Sequence, residues 1–387
     1  MPNPEPFSLS IEELRRYSRQ VTLPKFGPEN QEKLKNARVA VIGAGGLGAP
    51  LLQYLTAAGV GTIGIFDFDQ VDITNLQRQV LYKTGDAGKP KAETAGSVLQ
   101  ELNPNVNFNI HPEKITADNA VNLLQDYHII ADGSDNFLTR SILNVASQLL
   151  DIPLVYGSVY QYEGQLTVFN YVDESGNRGP EYGDVFPEVP DQDVIPNCAQ
   201  AGVIGALPGI IGSAQAMEVI KIITGIGSVL SGRLLIADML EMDFTTIEIP
   251  VPGKKERPDI DELKKKLVRL LEKADQNEKY DSSINWITPS ELKTLLEEKA
   301  GQFQLIDVRS PEEHQLSNIG GTLIPLDEIE NNRHAFSSGK KTVIYCETGN
   351  RSEKAIQILQ NKYGFKNLIN LKGGVSEWFR EIDTEKR

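Results

Sequence analysis

A glycine-rich turn near the N-terminus constrains the fold more than any other feature of this sequence. An apolar strand-like run, Val39–Ile42, leads directly into a turn with glycines at Gly43, Gly45, Gly46 and Gly48, and an amphipathic helix follows. Asp67 closes the next strand-like run. Backbone N–H groups of such a turn can approach phosphate oxygens, and an acid about twenty residues further on can hold ribose hydroxyls. The pattern predicts a nucleotide site in a parallel α/β sheet, and it fits a nicotinamide-dependent dehydrogenase equally well.

The composition narrows the class of protein. The 387 residues are 40% hydrophobic, enough for two cores, and the net charge is −14 without any basic block. Nucleic acid and anionic membrane are therefore not expected as partners. No apolar run appears long enough to span a bilayer, and the N-terminus is polar, so we expect a soluble cytoplasmic protein. Two cysteines, Cys198 and Cys346, exclude a disulfide framework and a four-thiolate zinc site.

Strand-like and helical runs alternate over the first part of the chain, which predicts a mainly parallel sheet with helices on both faces. We place the first domain at residues 8–250, a charged linker with its own helix at 251–284, and a second, smaller α/β domain at 285–387. Residues 173–197, rich in Pro, Gly and acids, are expected to form a mobile crossing loop. The apolar stripe of Pro208–Thr224 predicts a packed helix.

Further motifs in the first domain add cations and amides that a dinucleotide does not require. Asp69 precedes the run Thr74–Gln79, then come Lys89–Lys91 and, further on, Asp135–Arg140. With Arg16–Gln20 and the glycine turn, these motifs resemble the adenylating enzymes of the MoeB and ThiF family, relatives of the ubiquitin-activating enzymes. The resemblance covers residues 11–250, and its many motifs in the same order favour it over the dehydrogenase.

The resemblance implies that a small ubiquitin-like protein is activated at its C-terminal glycine carboxylate with ATP and magnesium, releasing pyrophosphate. Such a site must neutralise phosphate charge and hold two anions in line. By resemblance, Arg78 and Lys91 do this, Gly46 lies at the phosphates, Asp67 on the ribose and Asn75 beside the triphosphate. The full set of candidate nucleotide-binding residues is Gly43, Gly45, Gly46, Gly48, Asp67, Asp69, Thr74, Asn75, Leu76, Gln77, Arg78, Lys91, Asp135 and Asn136.

Four further assignments depend on the same resemblance. Asp135 is suited to magnesium, although an Asp after a strand is often only a helix cap. Arg19 is expected to reach across a homodimer interface into the neighbouring site. Cys198 matches the family cysteine that forms a thioester or acyl-disulfide in some relatives, and a buried structural thiol is the alternative. The Cys-x2-Cys pairs that bind zinc in many members are absent, so zinc is not predicted.

A second site is predicted in the C-terminal domain. Cys346–Ser352 follows a strand and opens a helix, so that inward N–H groups favour a nucleophilic sulfur. With Asp307–Arg309, Glu313–His314 and Gly373–Trp378, this loop resembles a rhodanese domain spanning residues 285–385. Four residues separate Cys346 from Arg351, which is typical of sulfur-carrying members rather than of the related phosphatases.

Two positions depart from the rhodanese pattern. Glu347 stands where many members have a cation, so we expect it to repel thiosulfate and favour a protein persulfide donor such as a cysteine desulfurase. Asn318 and Gly320 replace the usual His and Pro of a neighbouring loop.

Joined in one chain, the two domains suggest consecutive reactions: an acyl-adenylate forms, and a Cys346 persulfide attacks it to give a thiocarboxylate. This arrangement is similar to the molybdopterin synthase sulfurylases, which serve molybdopterin, thiamine or tRNA thiolation pathways. A non-catalytic scaffold that docks a ubiquitin-like partner is the alternative from a different class. The sequence does not identify the carrier.

Overall fold

The computed structural model describes residues 9–186, 202–250, 259–281, 284–298, 303–337 and 339–382. The chain forms two compact units, divided between Glu272 and Lys273.

An eight-stranded sheet is the centre of the first unit. The strands are β1 Arg38–Ile42, β2 Thr62–Phe66, β3 Asn107–His111, β4 Ile129–Asp132, β5 Leu154–Tyr160, β6 Glu163–Phe169, β7 Arg233–Asp238 and β8 Asp243–Glu248. They lie in the order β3-β2-β1-β4-β5-β6-β7-β8, and the pairs from β3 to β5 are parallel whereas those from β5 to β8 are antiparallel. The predicted, mainly parallel α/β fold is confirmed, and β7 and β8 are additions that the sequence did not predict.

Helices cover both faces of this sheet. Their bounds are α1 Ile11–Arg16, α2 Ser18–Val21, α3 Gly27–Asn36, α4 Gly48–Ala58, α5 Lys91–Leu102, α6 Ala120–Leu124, α7 Phe137–Leu150, α8 Tyr182–Val185, α9 Ala206–Thr224 and α10 Ile260–Asp281. One apolar core joins α3, α4, α5 and α9 to the sheet. A second core joins α6 and α7 to the other face. The expected crossing loop, residues 173–197, contains the short helix α8, and its residues 187–197 lie outside the described residues.

Helix α9 is long and apolar enough, by length and composition alone, to cross a membrane. In this respect the expectation that no apolar run has that length is wrong. Its residues Leu207, Ile211 and Val219 are nevertheless buried in the unit, and Glu218 is buried beside them. The helix packs against α4 and against strands β5 and β6, so the predicted packed helix is confirmed.

Helix α10 is the helix that the sequence placed in a linker. It begins as predicted at Ile260 and extends to Asp281. Leu263 and Leu270, two turns apart on one face, are buried in the core beneath α6 and α7. The first half of α10 is thus part of the first unit.

The second unit is built on a five-stranded parallel sheet. Its strands are β9 Asn285–Ile287, β10 Phe303–Asp307, β11 Thr322–Leu323, β12 Lys341–Tyr345 and β13 Leu368–Leu371, in the order β11-β10-β12-β13-β9. Its helices are α11 Pro289–Glu298, α12 Pro311–Leu316, α13 Asn350–Tyr363 and α14 Gly374–Glu381. Apolar clusters fill both faces, which confirms a small α/β domain.

Candidate functional sites

The first site lies where the strand order of the large sheet reverses. Strands β1 and β4 are parallel neighbours, but α4, which follows β1, packs on one face and α7, which follows β4, on the other. The chain therefore separates at their carboxyl ends and leaves a crevice, the usual ligand position in open α/β sheets. A cleft of about 290 Å³ lies there.

The glycine turn forms one wall of the cleft. Gly43 has a φ of +89°, a conformation that residues with a Cβ rarely adopt. At Gly48, a Cβ would lie 1.9 Å from the Gly43 carbonyl oxygen, so only glycine allows α4 to begin this close to the turn. The Tyr82 hydroxyl donates a 2.9 Å hydrogen bond to the Ala44 carbonyl and fixes the turn from behind. Gly43, Gly45 and Gly46 line the cleft, as predicted, and Gly48 acts through packing.

Asp67 is tied to this turn. Its carboxylate accepts hydrogen bonds from the backbone N–H of Ala44 at 2.7 Å and of Asp69 at 2.9 Å. Burial raises the pKa of Asp67 above its ordinary value, although the nearby Lys91 and both N–H groups act in the opposite direction. The structure shows how Asp67 orders the turn, and its contact with a ribose stays a prediction.

Two cations, Lys91 and Arg78, also line the cleft. Lys91 is buried, and its Nζ lies 2.9 Å from Oδ2 of Asp69, whose side chain is half exposed. Arg78 is half-buried and lies against Gly46, and within the described residues its guanidinium makes one long hydrogen bond, of 3.4 Å, to the Thr74 carbonyl. Both cations line the cleft that contains the glycine turn, and their role at a phosphate stays a prediction.

The run from Thr74 to Gln79 contributes unequally. Asn75 lines the cleft, as does Gln79, whose Nε2 donates to Asn75 Oδ1 at 3.1 Å. Within the described ranges, the buried Gln79 Oε1 has no hydrogen-bond partner. The predicted site residues Thr74, Leu76 and Gln77 are not among the residues that line this cleft.

The structure excludes the helix-cap alternative for Asp135, and its role as a magnesium ligand stays a prediction. Asn136 is the N-cap of α7, and its side chain accepts from the Thr139 N–H at 2.8 Å. Asp135 is not the cap; it is exposed and lines the cleft, and within the described ranges no residue donates a hydrogen bond to its carboxylate.

The donor set at Asp135 fits magnesium rather than a metal that is held by protein alone. Within the described part of the chain, no group of three or more His, Cys, Asp or Glu residues could hold a metal ion. Mg²⁺ commonly takes one or two carboxylates and completes its shell with substrate phosphates and water. A single carboxylate in the same cleft as the glycine turn, with no hydrogen-bond donor among the described residues, would satisfy that requirement.

Several cleft residues were not predicted as site residues. Glu113, Lys114 and Ile115 follow β3, and their place after a parallel strand is a signal that could have identified them. The others reach the cleft through tertiary packing or lie in motifs quoted for the resemblance. They are Ile42, Leu47, Phe66, Phe68, Gln79, Gly133, Ser134, Thr139, Arg140, Val159, Val203 and Pro208.

Two further predicted residues, Arg19 and Cys198, are not placed in this cleft. Arg19 is exposed on α2 and does not line it. Cys198 lies outside the described residues.

The second site is the loop between β12 and α13. Cys346 is a free cysteine, only 1% exposed, at the carboxyl end of β12. Its Sγ accepts a hydrogen bond from the Gly349 N–H at 3.2 Å, and the Ser352 Oγ lies 3.4 Å from it. The Ser352 hydroxyl has a single proton, which it donates to Asn370 Oδ1 at 2.6 Å. A backbone donor at the start of a helix stabilises negative charge on sulfur, which favours the predicted nucleophile.

Glu347 is compensated by partners that the sequence did not reveal. Its Oε2 lies 2.9 Å from Nη1 of the buried Arg309, and its Oε1 accepts from the Ser376 hydroxyl at 2.8 Å. Arg309 is anchored in turn by Asp307. From the sequence alone, Glu347 is an uncompensated negative charge beside the sulfur and should repel thiosulfate. Because Arg309 pairs with Glu347, this repulsion is weaker than the sequence suggests.

Arg351 closes the loop through a two-pronged ion pair. Its Nη1 and Nη2 lie 2.7 Å and 2.6 Å from the two carboxylate oxygens of Glu313. Arg351 holds the pKa of Glu313 below its ordinary value, mainly through this hydrogen bonding. Arg351 thus connects the cysteine loop to α12, beside the predicted nucleophile.

Together, the fold and the two sites define a nucleotide-binding α/β enzyme that carries a separate cysteine-loop domain. The family model described as ThiF family matches residues 17–257, and that of the rhodanese-like domain matches residues 288–381. The chain therefore belongs to the ThiF family and has a C-terminal rhodanese-like domain; it is an enzyme of the adenylyltransferase/sulfurtransferase class. This decides against the dehydrogenase alternative.

Relatives with both activities in their names match nearly the whole chain. A Mycobacterium tuberculosis protein described as "probable adenylyltransferase/sulfurtransferase MoeZ" is 41% identical over 386 residues, covering 98% of this chain and 97% of its own. Adenylyltransferase and sulfurtransferase MOCS3 of Aedes aegypti is 37% identical, covering 97% and 89%. A sulfur carrier protein adenylyltransferase of Thermus thermophilus is 49% identical over 62% of this chain and 88% of its own.

Solved structures match over about two thirds of the chain. PaaA is 26% identical with a TM-score of 0.54, covering 64% of this chain and 78% of its own. The E. coli MccB complex with ATP is 22% identical with a TM-score of 0.52, covering 62% and 74%. The second likeness supports the fold alone.

Proposed function

We propose that this enzyme adenylates the C-terminal glycine of a ubiquitin-like sulfur-carrier protein with ATP and then converts the adenylate into a thiocarboxylate. The convergence of Arg78, Lys91 and Asp135 on the glycine turn carries the first half of the proposal. The buried Cys346, whose sulfur accepts a hydrogen bond from the Gly349 N–H before helix α13, carries the second. The name of the Thermus relative supports a sulfur carrier as the substrate.

In the first step, a carboxylate oxygen of the carrier attacks the α-phosphorus of ATP. The bond between the α-phosphorus and the bridging oxygen breaks, and pyrophosphate leaves. Lys91 and Arg78 offset the repulsion between the two anions and stabilise the charge that develops on the phosphate oxygens. Asp135 would hold Mg²⁺, which when bound supplies further neutralisation of the triphosphate.

In the second step, the outer sulfur of a Cys346 persulfide attacks the activated carbonyl carbon. The bond from this carbon to the AMP oxygen breaks, and the carrier is joined to Cys346 through a disulfide. A thiol then attacks the Cys346 sulfur, which releases the carrier thiocarboxylate and leaves a disulfide for a cellular thiol to reduce. Cys198 is our candidate for the attacking thiol.

The cellular setting follows from the same proposal. A cysteine desulfurase would supply the persulfide, and molybdenum cofactor synthesis is one pathway that consumes such a thiocarboxylate. We propose a homodimer in the cytoplasm, with Arg19 of each copy completing the site of the other. The exposed position of Arg19, outside the cleft of its own chain, is compatible with that role.

Intact-protein mass spectrometry of a candidate carrier tests this function directly. The carrier is incubated with the enzyme, ATP, Mg²⁺ and a persulfide donor. Replacement of one oxygen by sulfur supports the enzyme. An unchanged mass for every candidate carrier would favour the alternative of a scaffold that only docks a ubiquitin-like partner.

A further inference from the structure

A buried ion pair lies directly below the loop that carries Asp135. Asp132 ends β4 and is fully buried, and Arg140 in the first turn of α7 is 6% exposed. Their closest approach is 3.7 Å, from Arg140 Nε to Asp132 Oδ2. Neither of these two atoms has a hydrogen-bond partner in the part of the chain that the structure describes.

Both members of this pair hold Ser134, the residue that precedes Asp135. Asp132 Oδ1 accepts from the Ser134 backbone N–H at 2.9 Å and from its hydroxyl at 2.6 Å. Arg140 Nη2 donates to the Ser134 carbonyl at 3.0 Å. Three hydrogen bonds thus fix Ser134 from both sides, immediately before Asp135 in the chain.

Aromatic rings fix the guanidinium of Arg140 in turn. Its central carbon lies 5.2 Å from the centre of the Tyr156 ring and 5.7 Å from that of Phe137. Such contacts restrict a long side chain that would otherwise have several rotamers. The Arg140 side chain therefore has little freedom to move, and it restrains the loop that carries Ser134 and Asp135.

This arrangement is a poor way to stabilise a fold. Two buried charges lose their hydration, and a pair with imperfect geometry does not recover it fully. Apolar residues of the same volume would be at least as stable in this position. The pair holds Ser134 through three hydrogen bonds, which apolar side chains could not form.

We infer that Asp132 and Arg140 are positioning residues, which hold the Asp135 carboxylate where it can bind the Mg²⁺ of bound ATP. The inference rests on the proposed function, because it assumes a metal at Asp135. Groups that orient a metal ligand typically affect metal affinity by roughly 10- to 100-fold. Loosening the pair should therefore weaken metal binding and leave metal-free nucleotide binding unchanged.

Two shape-conserving variants of the full-length enzyme test the inference. Asp132→Asn keeps an acceptor for Ser134 but removes the charge facing Arg140. Arg140→Lys keeps the charge but loses the planar group that reaches both partners. Leu143→Ala is the matched control, because Leu143 is fully buried on the same helix and faces the apolar core.

The metal readout is Mn²⁺ binding, followed by electron paramagnetic resonance with α,β-methylene-ATP, which cannot be cleaved. Nucleotide binding is measured separately by calorimetry in EDTA. We expect both variants to weaken Mn²⁺ binding by about tenfold or more and to leave the EDTA affinity unchanged. Leu143→Ala should lower the melting temperature without weakening Mn²⁺ binding.

Wild-type Mn²⁺ affinity in the folded variants would overturn the inference, as would an equal loss in Leu143→Ala. If Arg140→Lys does not fold, Ser134→Ala replaces it, because this change removes only the hydrogen bond of the Ser134 hydroxyl. We expect Ser134→Ala to lower the Mn²⁺ affinity by a smaller factor, and an unchanged affinity would contradict the inference. If the wild-type enzyme binds the nucleotide but shows no nucleotide-dependent Mn²⁺ site, the metal role in the proposed function fails together with the inference.

Discussion

In our proposal, adenylate formation depends most directly on Asp135, because its carboxylate lines the cleft, accepts no hydrogen bond from the described residues and is not needed to cap α7. We predict that Asp135→Ala lowers the rate of adenylate formation by at least a factor of about 100, as expected when an electrostatic group at a phosphoryl site is lost. The far-ultraviolet circular dichroism and melting temperature should stay close to those of the wild type. The measurement is pyrophosphate release in the presence of a carrier.

Asp118→Ala is the control for this prediction, because Asp118 is an exposed aspartate of the same unit that does not line the cleft. It should leave the rate unchanged. Full activity of Asp135→Ala would remove the metal assignment.

At the residue scale, the sequence predicted side chains in local motifs better than those brought in by packing. Gly43 and Asp67 were identified because their spacing places them after adjacent strands, whereas Lys91 was identified through the family resemblance. Arg140 was quoted within a motif but not as a site residue, since its direction depends on the rings of Tyr156 and Phe137. The compensation of Glu347 could not be predicted, because Arg309 lies 38 residues away in sequence.

The start of helix α4 shows how one element depends on a single missing side chain. A Cβ at Gly48 would lie 1.9 Å from the Gly43 oxygen, so the helix or the turn must shift. We predict that Gly48→Ala lowers the free energy of unfolding of the first unit by roughly 1–3 kcal/mol and weakens ATP binding. Thermal unfolding followed by circular dichroism, with and without ATP, measures both effects.

Gly209→Ala provides a matched comparison, because Gly209 lies in helix α9 with open space around its Cβ position. It should be neutral or slightly stabilising, as expected for alanine in a helix. If Gly48→Ala and Gly209→Ala had the same free energy of unfolding and the same ATP affinity, the close approach at Gly48 would have no effect on stability or binding.

The connection between α12 and the cysteine loop should depend on pH. Arg351 holds the pKa of Glu313 below its ordinary value, so this pair stabilises the fold at neutral pH. The contribution is complete above the ordinary pKa of a glutamate and is lost as the pH falls through the lowered pKa. We predict that Glu313→Gln destabilises the second unit by on the order of 1 kcal/mol at neutral pH, and that the difference from the wild type disappears in acid.

Tryptophan fluorescence during denaturant unfolding can follow this effect in the full chain. Both tryptophans, Trp286 and Trp378, lie in the second unit, so their signal reports on that unit. Glu328→Gln, a change at another exposed glutamate of the unit, is the control and should show no such pH dependence. A difference that is the same at neutral and acid pH would contradict the assignment.

At the element scale, the strands that the sequence missed have identifiable reasons. Strand β8 is exposed along its whole length, so it carries no alternation of buried and exposed positions that could be recognised. Strands β9 and β11 have three and two residues, too few for a period. The parallel strands β1, β2 and β4 each contain a buried apolar run, at Val39–Ile42, Ile63–Phe66 and Ile129–Ala131, and they were found.

At the scale of the whole molecule, we propose that each unit carries out one half-reaction. We predict that Cys346→Ala abolishes thiocarboxylate formation while the exchange of pyrophosphate into ATP continues at the wild-type rate. The reason is that Cys346 belongs to the cysteine loop of the second unit, and the residues of the nucleotide cleft all belong to the first. Mass spectrometry of the carrier and the exchange assay measure the two halves separately.

Loss of both activities in a folded Cys346→Ala protein would show that the halves are not separable. Thiocarboxylate formation without Cys346 would assign the sulfur transfer to another group. The sequence predicted two units because each has its own alternation of strands and helices. It did not predict that the first half of α10 packs into the first unit, since the apolar residues Leu263 and Leu270 stand in an otherwise charged run.

Carrier-dependent exchange of radiolabelled pyrophosphate into ATP is the most direct measurement of the central claim, that the first unit makes an acyl-adenylate. The account predicts exchange that requires both Mg²⁺ and a carrier with a free C-terminal glycine, and that disappears in Asp135→Ala. Absence of exchange with every matched carrier tested would contradict it.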